Sequence, residues 1–179
     1  MHGLSLVAAS RGYSLVVACR PLIVVASPVV EHIRKKHNVL IGERTAEEIK
    51  IKIGSAMSYD GEGAMDVRGR NLVDGLPKNV EITSEDVREA LAEPVSQILE
   101  TIRSTLEKTP PELLADIVDN GIMLTGGGAL LRGIDTLISQ ETKIPVHVAV
   151  DPMDCVAAGM GICLEKGNIY GVTQSRTRL

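Results

Sequence analysis

The sequence contains no phenylalanine and no tryptophan, and only three tyrosines among 179 residues. Exposed bases would find no stacking platform, and a net charge of −4 comes with no basic run longer than Arg34-Lys35-Lys36. Both absences argue against a nucleic-acid partner. Any core must be assembled from Ile, Leu, Val, Ala and Met. Cysteine is scarce: Cys19, Cys155 and Cys163 are odd in number and lack metal-ligand spacing, and the four histidines are scattered. A disulfide framework is excluded, no local metal motif is present, and a reduced cytoplasmic setting fits best. Cys155 and Cys163 fall in a small-residue helix and read as inert packing thiols. Long apolar runs are missing as well. Arg20, Pro21 and Pro28 interrupt the most apolar stretch, so no segment of about eighteen apolar residues is available to span a membrane.

What is present is an ordinary folded composition, 44% apolar and 23% charged, long enough for one medium domain or two small ones. It is unevenly distributed. Residues 1–30 hold two arginines and no acid, leaving seventeen of nineteen basic and all twenty-three acidic side chains to the remainder. Within them Leu15-Val16-Val17-Ala18 and Leu22-Ile23-Val24-Val25-Ala26 have strand composition.

Beyond the break, helices and strands alternate. A helix is expected over 30–39, with Ile33 and His37 four apart. Thr45 and Glu48 have capping-box spacing ahead of Ile49 and Ile53. Met65-Asp66-Val67-Arg68 and Asn79-Val80-Glu81-Ile82 alternate as paired strands, with Asp74-Gly75 as turn chemistry between them. Thr83 or Ser84 opens a helix with Val87, Leu91, Val95, Ile98, Ile102 and Leu106 at helical spacing, and Pro94 predicts a kink or two abutting helices. Pro111 and Asn120-Gly121 bracket a further helix. A strand over 122–125, a helix over 130–141, a strand over 146–150 and a helix over 152–165 follow.

Two segments carry chemistry. Thr125-Gly126-Gly127-Gly128-Ala129-Leu130 leads from an apolar strand into a helical pattern, and its side-chain-free backbone allows a flat ring or a phosphate to lie against the main chain. A tight strand-to-helix turn has the same composition. Glu47 and Lys50 are three apart, so a helix sets a carboxylate and an ammonium on one face, as a ligand contact or as a solvated ion pair. Asp151, before Pro152, reads as a helix cap.

Taken with Val67-Arg68-Gly69-Arg70-Asn71-Leu72 and Pro110-Pro111-Glu112-Leu113, these segments resemble the C-terminal half of the MreB-type bacterial actins, from about residue 32 to about residue 165. The resemblance implies an α/β, actin-like (ribonuclease H-like) ATPase fold, incomplete here: an outer α/β subdomain plus part of the inner one. It implies an ATP-binding, filament-forming protein that determines cell shape by organising wall synthesis. Glu47, Glu48, Ile49 and Lys50 then match the helix, and Gly126, Gly127, Gly128, Ala129 and Leu130 the loop, that grip adenosine from opposite sides. The family's phosphate hairpins, magnesium-holding acid and water-positioning glutamate have no counterpart in the matched stretch, so neither ATP hydrolysis nor a magnesium site is expected of this chain.

The expected division is 1–30 outside the family pattern, 31–120 as outer subdomain, 121–166 as partial inner subdomain with the adenosine loop, and 167–179 as a mobile tail. A disturbed reading frame or misassigned start is the expected origin of residues 1–30. Strands 122–125 and 146–150 should have open edges unless residues 1–30 supply neighbours. The implied partners are copies of itself or a full-length homologue in filaments and membrane-associated morphogenetic proteins, with a cytoplasmic location and membrane association left open. The alternative is a non-enzymatic module that caps or modulates full-length filaments.

Overall fold

The computed structural model describes residues 5–8, 15–18 and 23–165, with side chains from 26 to 162. The expected mobility of residues 167–179 lies outside the described residues. The first two strands, β1 (Ser5–Ala8) and β2 (Leu15–Ala18), are followed by a helix, α1 (Ile23–His37). Within the run expected as a strand at 22–26, the described residues 23–26 are therefore helical. Ala26, Val29 and Ile33 are buried at helical spacing on α1, which crosses the compositional break at residue 30. A short apolar run cannot by itself distinguish the two states, and packing decides. Basic residues occupy the last turn, favourably placed against the helix dipole, and Asn38 ends the helix with a φ of 55°.

A short strand, β3 (Val39–Leu40), leads to α2 (Glu43–Ile53). This helix begins at Gly42 with no side-chain cap, so the Thr45 capping box does not form. The inward face consists of Ala46, Ile49, Lys50 and Ile53, and placing Ala46 inside draws the helix start back by three residues, from a cap at Thr45 to one at Gly42. Next comes the antiparallel pair β4 (Ala64–Asn71) and β5 (Pro77–Thr83), in register from Ala64↔Thr83 to Arg70↔Pro77. Their connection uses the expected turn residues. Gly75 has a φ of 75°, and the Asp74 carboxylate accepts from the Leu76 N–H at 3.0 Å. β3 lies along β4, completing one three-stranded sheet.

Thr83 caps α3 (Ser84–Lys108) as expected, but in a box with Asp86: the Thr83 hydroxyl accepts from the Asp86 N–H at 3.2 Å, and the Asp86 carboxylate accepts from the Thr83 N–H at 3.0 Å. Burial pushes the Asp86 carboxyl up, yet hydrogen bonds from Lys36 and Thr83 outweigh it and hold the group down at about 2. Thr83→Ala should lower stability by about 1 kcal/mol, read as a shifted urea midpoint at constant m-value. α3 continues through Pro94 as one element, so two abutting helices are not formed.

After α4 (Pro111–Asn120), β6 (Ile122–Thr125) enters a second sheet of order β1-β2-β6-β7, where β7 is Val146–Val148. β2 runs parallel to β6 with Leu15 opposite Ile122 and Ala18 opposite Thr125. The open edge of β6 is thereby filled from within residues 1–30. The helix expected at 130–141 starts later, as α5 (Ile134–Thr142), because Gly133 takes a left-handed conformation at φ 74°, and it is preceded by a 3-10 turn (Gly127–Leu130). α6 (Cys155–Glu165) closes the described chain, and Asp151 serves it through its backbone carbonyl, which accepts from the Cys155 N–H at 2.9 Å.

One apolar cluster runs through the molecule. Ile33, Ile49, Ile82 and Leu91 fill it beneath the first sheet's helices, and Ile122, Leu124, Ile134 and Ile138 fill it around β6 and α5. The Arg103–Glu141 ion pair links α3 to α5.

Candidate nucleotide site

The glycine loop is set by two fixed points. Leu124 and Thr125 are buried at the end of β6, and Gly126 then turns with φ 83° and ψ 169°, a conformation essentially reserved for glycine. Its N–H donates to the Pro152 carbonyl, tying the loop to the segment before α6. The chain closes at once into the 3-10 turn: the Ala129 N–H reaches the Gly126 carbonyl at 3.0 Å and the Leu131 N–H the Gly128 carbonyl at 3.2 Å. Ala129 packs inward, Gly126, Gly127 and Gly128 are half-buried, and Leu130 is exposed. A side-chain-free ledge of main chain results. From Gly126 to Ile134 the sequence carries no acid, so the loop itself offers no ligand to a metal ion.

On α2, Lys50 and Glu47 form an ion pair at 2.6 Å, with the Lys50 side chain only 4% exposed and Glu47 40% exposed. This is neither a fully solvated pair nor a free ligand contact. The lysine stem is part of the inner face of α2, and its ammonium holds the Glu47 carboxylate at the rim. Ile49 is fully buried in the core, and Glu48 points out and pairs with Arg44 at 3.6 Å.

The structure joins the two segments at their far ends. α2 stops at Gly54, where a Cβ would lie 2.3 Å from the Lys50 carbonyl oxygen, and Ser55 then pairs in parallel with Arg132, two residues past the 3-10 turn. The Ala56 N–H donates to the Arg132 carbonyl at 2.8 Å, and Met57 packs on Gly133. The Arg132 guanidinium lies 5.5 Å from the Tyr59 ring centroid and donates to the Tyr59 hydroxyl at 3.1 Å. Arg132 belongs to the glycine-loop phrase, but its pairing with Tyr59 has no local signal, since the two are far apart in sequence.

Two hydroxyls in the segments are buried without a partner among the described residues, which the sequence pattern does not reveal. Ser55 and Thr125 are 0% and 5% exposed, and their hydroxyl oxygens have no hydrogen-bond partner among the described residues. Ser55 follows α2 and Thr125 precedes the loop, so each segment contributes one unsatisfied hydroxyl, an unusual arrangement for buried polar groups. A separate concavity of about 320 Å³, lined by Asp135, Thr136, Ser139, Gln140, Lys143 and Val146, lies along α5 away from both segments.

The MreB/Mbl protein family matches residues 24–171. The cell shape-determining protein Mbl of Bacillus cereus is 49% identical over 137 residues, covering 76% of this chain and 41% of that protein. The cell shape-determining protein MreB of Escherichia coli is 47% identical over 143 residues, covering 80% and 41%. Crystal structures of MreB5 of Spiroplasma citri bound to ADP and to AMPPNP each superpose with a TM-score of 0.77 at 39% identity, covering 79% and 83% of this chain and 43% and 45% of theirs. The chain thus spans about two-fifths of the length of the curated relatives it matches. A match across that stretch, on an actin-like arrangement of helix, strand and glycine loop, establishes that the chain belongs to the MreB/Mbl family.

Proposed function

We propose that this chain supplies the adenosine-binding part of a nucleotide-dependent, filament-forming protein of cell-shape determination. The glycine ledge at 126–128 carries the reading, because it presents main chain with no Cβ at a point held by Gly126 and Pro152. A purine ring lies against that ledge. The Glu47 carboxylate, held by Lys50, accepts from a ribose hydroxyl or an exocyclic amine. ATP supplies the phosphates whose state is linked to assembly. The loop brings no acid or base to them, so its role is binding and not hydrolysis.

A fluorescent ADP analogue titrated into the chain tests this. Saturable binding should weaken about tenfold or more in both Gly127→Val and Glu47→Ala, while circular dichroism stays unchanged. Unaltered affinity in both variants overturns the assignment.

A second reading is supported by exposed apolar side chains after β7: Val150 is 97% exposed, Met153 68% and Met160 59%. Such a surface suits association with a full-length homologue, the capping role. Substoichiometric addition to homologue filaments should then shorten them, and unchanged filament length would remove this reading.

A further inference from the structure

We propose that α1 and α3 together form a binding site for a divalent transition-metal ion, with His32, Asp86 and Glu89 as ligands. The imidazole nitrogen of His32 and one carboxylate oxygen from each acid all lie within 4.8 Å of one another. His32 Nε2 is 3.6 Å from Glu89 Oε2, and His37 Nε2 is 3.8 Å from Asp86 Oδ2. Both imidazole Nε2 atoms are buried, and neither has a hydrogen-bond partner among the described residues. These separations are too long for hydrogen bonds. The His32–Glu89 separation of 3.6 Å suits two ligands of a common ion, since bonds of about 2.1 Å place neighbouring donor atoms about 3 to 4 Å apart.

A cation already occupies this position in the form of a side chain. Lys36 Nζ lies 2.6 Å from Asp86 Oδ1 and 3.4 Å from Glu89 Oε2, bridging the two carboxylates that the ion would take. That contact with Asp86 raises the Lys36 ammonium above its ordinary range. Lys36 is nevertheless 47% exposed, so it swings into solvent when an ion displaces it. The site has the outer support that metal centres require: Asp86 Oδ2 is held by the Thr83 N–H at 3.0 Å, which leaves Oδ1 directed at the gap. One imidazole with two carboxylates is the donor set of zinc or manganese rather than of calcium, and the remaining positions fall to water. No short motif announces it, because helix geometry pairs Asp86 with Glu89 and only the packing of α1 on α3 brings His32 to them.

The inference is independent of the nucleotide reading. Its test is calorimetric titration of the chelator-treated full chain with zinc chloride and with manganese chloride. One ion per chain should bind and raise the unfolding temperature, since the ion bridges two helices. His32→Gln and Glu89→Gln should each weaken binding about tenfold or more, and Lys36→Gln should tighten it by removing the competitor. His147→Gln should change nothing. Glu89 is 63% exposed, so Glu89→Gln keeps the fold and decides the matter even if His32→Gln does not. Absence of saturable binding, unchanged affinity in Glu89→Gln, or weaker binding in Lys36→Gln each overturns the proposal.

Discussion

Gly69→Ala should cost about 3 kcal/mol of stability and lower the unfolding temperature by about 10 °C. Gly69 lies in β4 where β3 crosses it, and an added Cβ would sit 2.3 Å from Val39 Cγ1, 2.7 Å from the Leu40 carbonyl oxygen and 3.0 Å from Ile41 Cγ2. The second of these is backbone and cannot rotate away. Val39 is 1% exposed and Ile41 6%, so neither side chain can yield into solvent. Relief therefore requires β3 to lift from β4, which breaks the pairing of Val39 with Asn71 and Leu40 with Arg70. It also disturbs the connection from α1 to α2, because β3 lies in the short link, residues 38–42, between them. A urea midpoint for Gly69→Ala equal to that of the parent would show that the sheet has slack the structure does not reveal.

That glycine illustrates what the sequence could and could not disclose. Val67-Arg68-Gly69-Arg70-Asn71-Leu72 was legible as a family phrase, and alternation at 65–68 marked a strand, but nothing local shows that β3 passes over Gly69. Thr83 or Ser84 was legible as a cap ahead of apolar residues at helical spacing, and the structure takes Thr83. The Thr45–Glu48 capping-box spacing failed, since burial of Ala46 set the start of α2 earlier. The strand expected from the run at 22–26 failed similarly: its β-branched composition favours a strand, and the packed face of Ala26, Val29 and Ile33 made residues 23–26 helix. At the site, the glycine triplet and the Glu47–Lys50 spacing were legible as types. Burial of Lys50, the Ser55–Arg132 junction and the His32–Asp86–Glu89 cluster depend on contacts between distant segments and have no local sequence signal.

Two glycines bracket β6, and substituting each in turn should separate stability from binding. Gly121 has φ 83° and ψ −178°, and Gly126 has φ 83° and ψ 169°, so both occupy backbone space that an alanine enters only at a cost of about 1 to 3 kcal/mol. Gly121 carries a further penalty, because its Cβ would lie 2.7 Å from the Pro145 carbonyl oxygen, the acceptor of the Ile122 N–H. Gly121→Ala should therefore be the more destabilising of the two in urea. Its strain falls at the start of β6, four residues of strand away from the ledge, and nucleotide affinity of the folded chain should remain within about twofold of the parent. Gly126→Ala places its strain at the hinge of the ledge. Relaxing φ there pulls the N–H from the Pro152 carbonyl and swings the 3-10 turn, so the fluorescent ADP analogue should bind about tenfold or more weakly under conditions where the chain is fully folded. Equal affinities for Gly126→Ala and the parent would dissociate the ledge from nucleotide binding. Equal losses in both variants would mean that affinity merely follows the stability of β6, and the contrast between hinge and strand start is what distinguishes a binding surface from a structural turn.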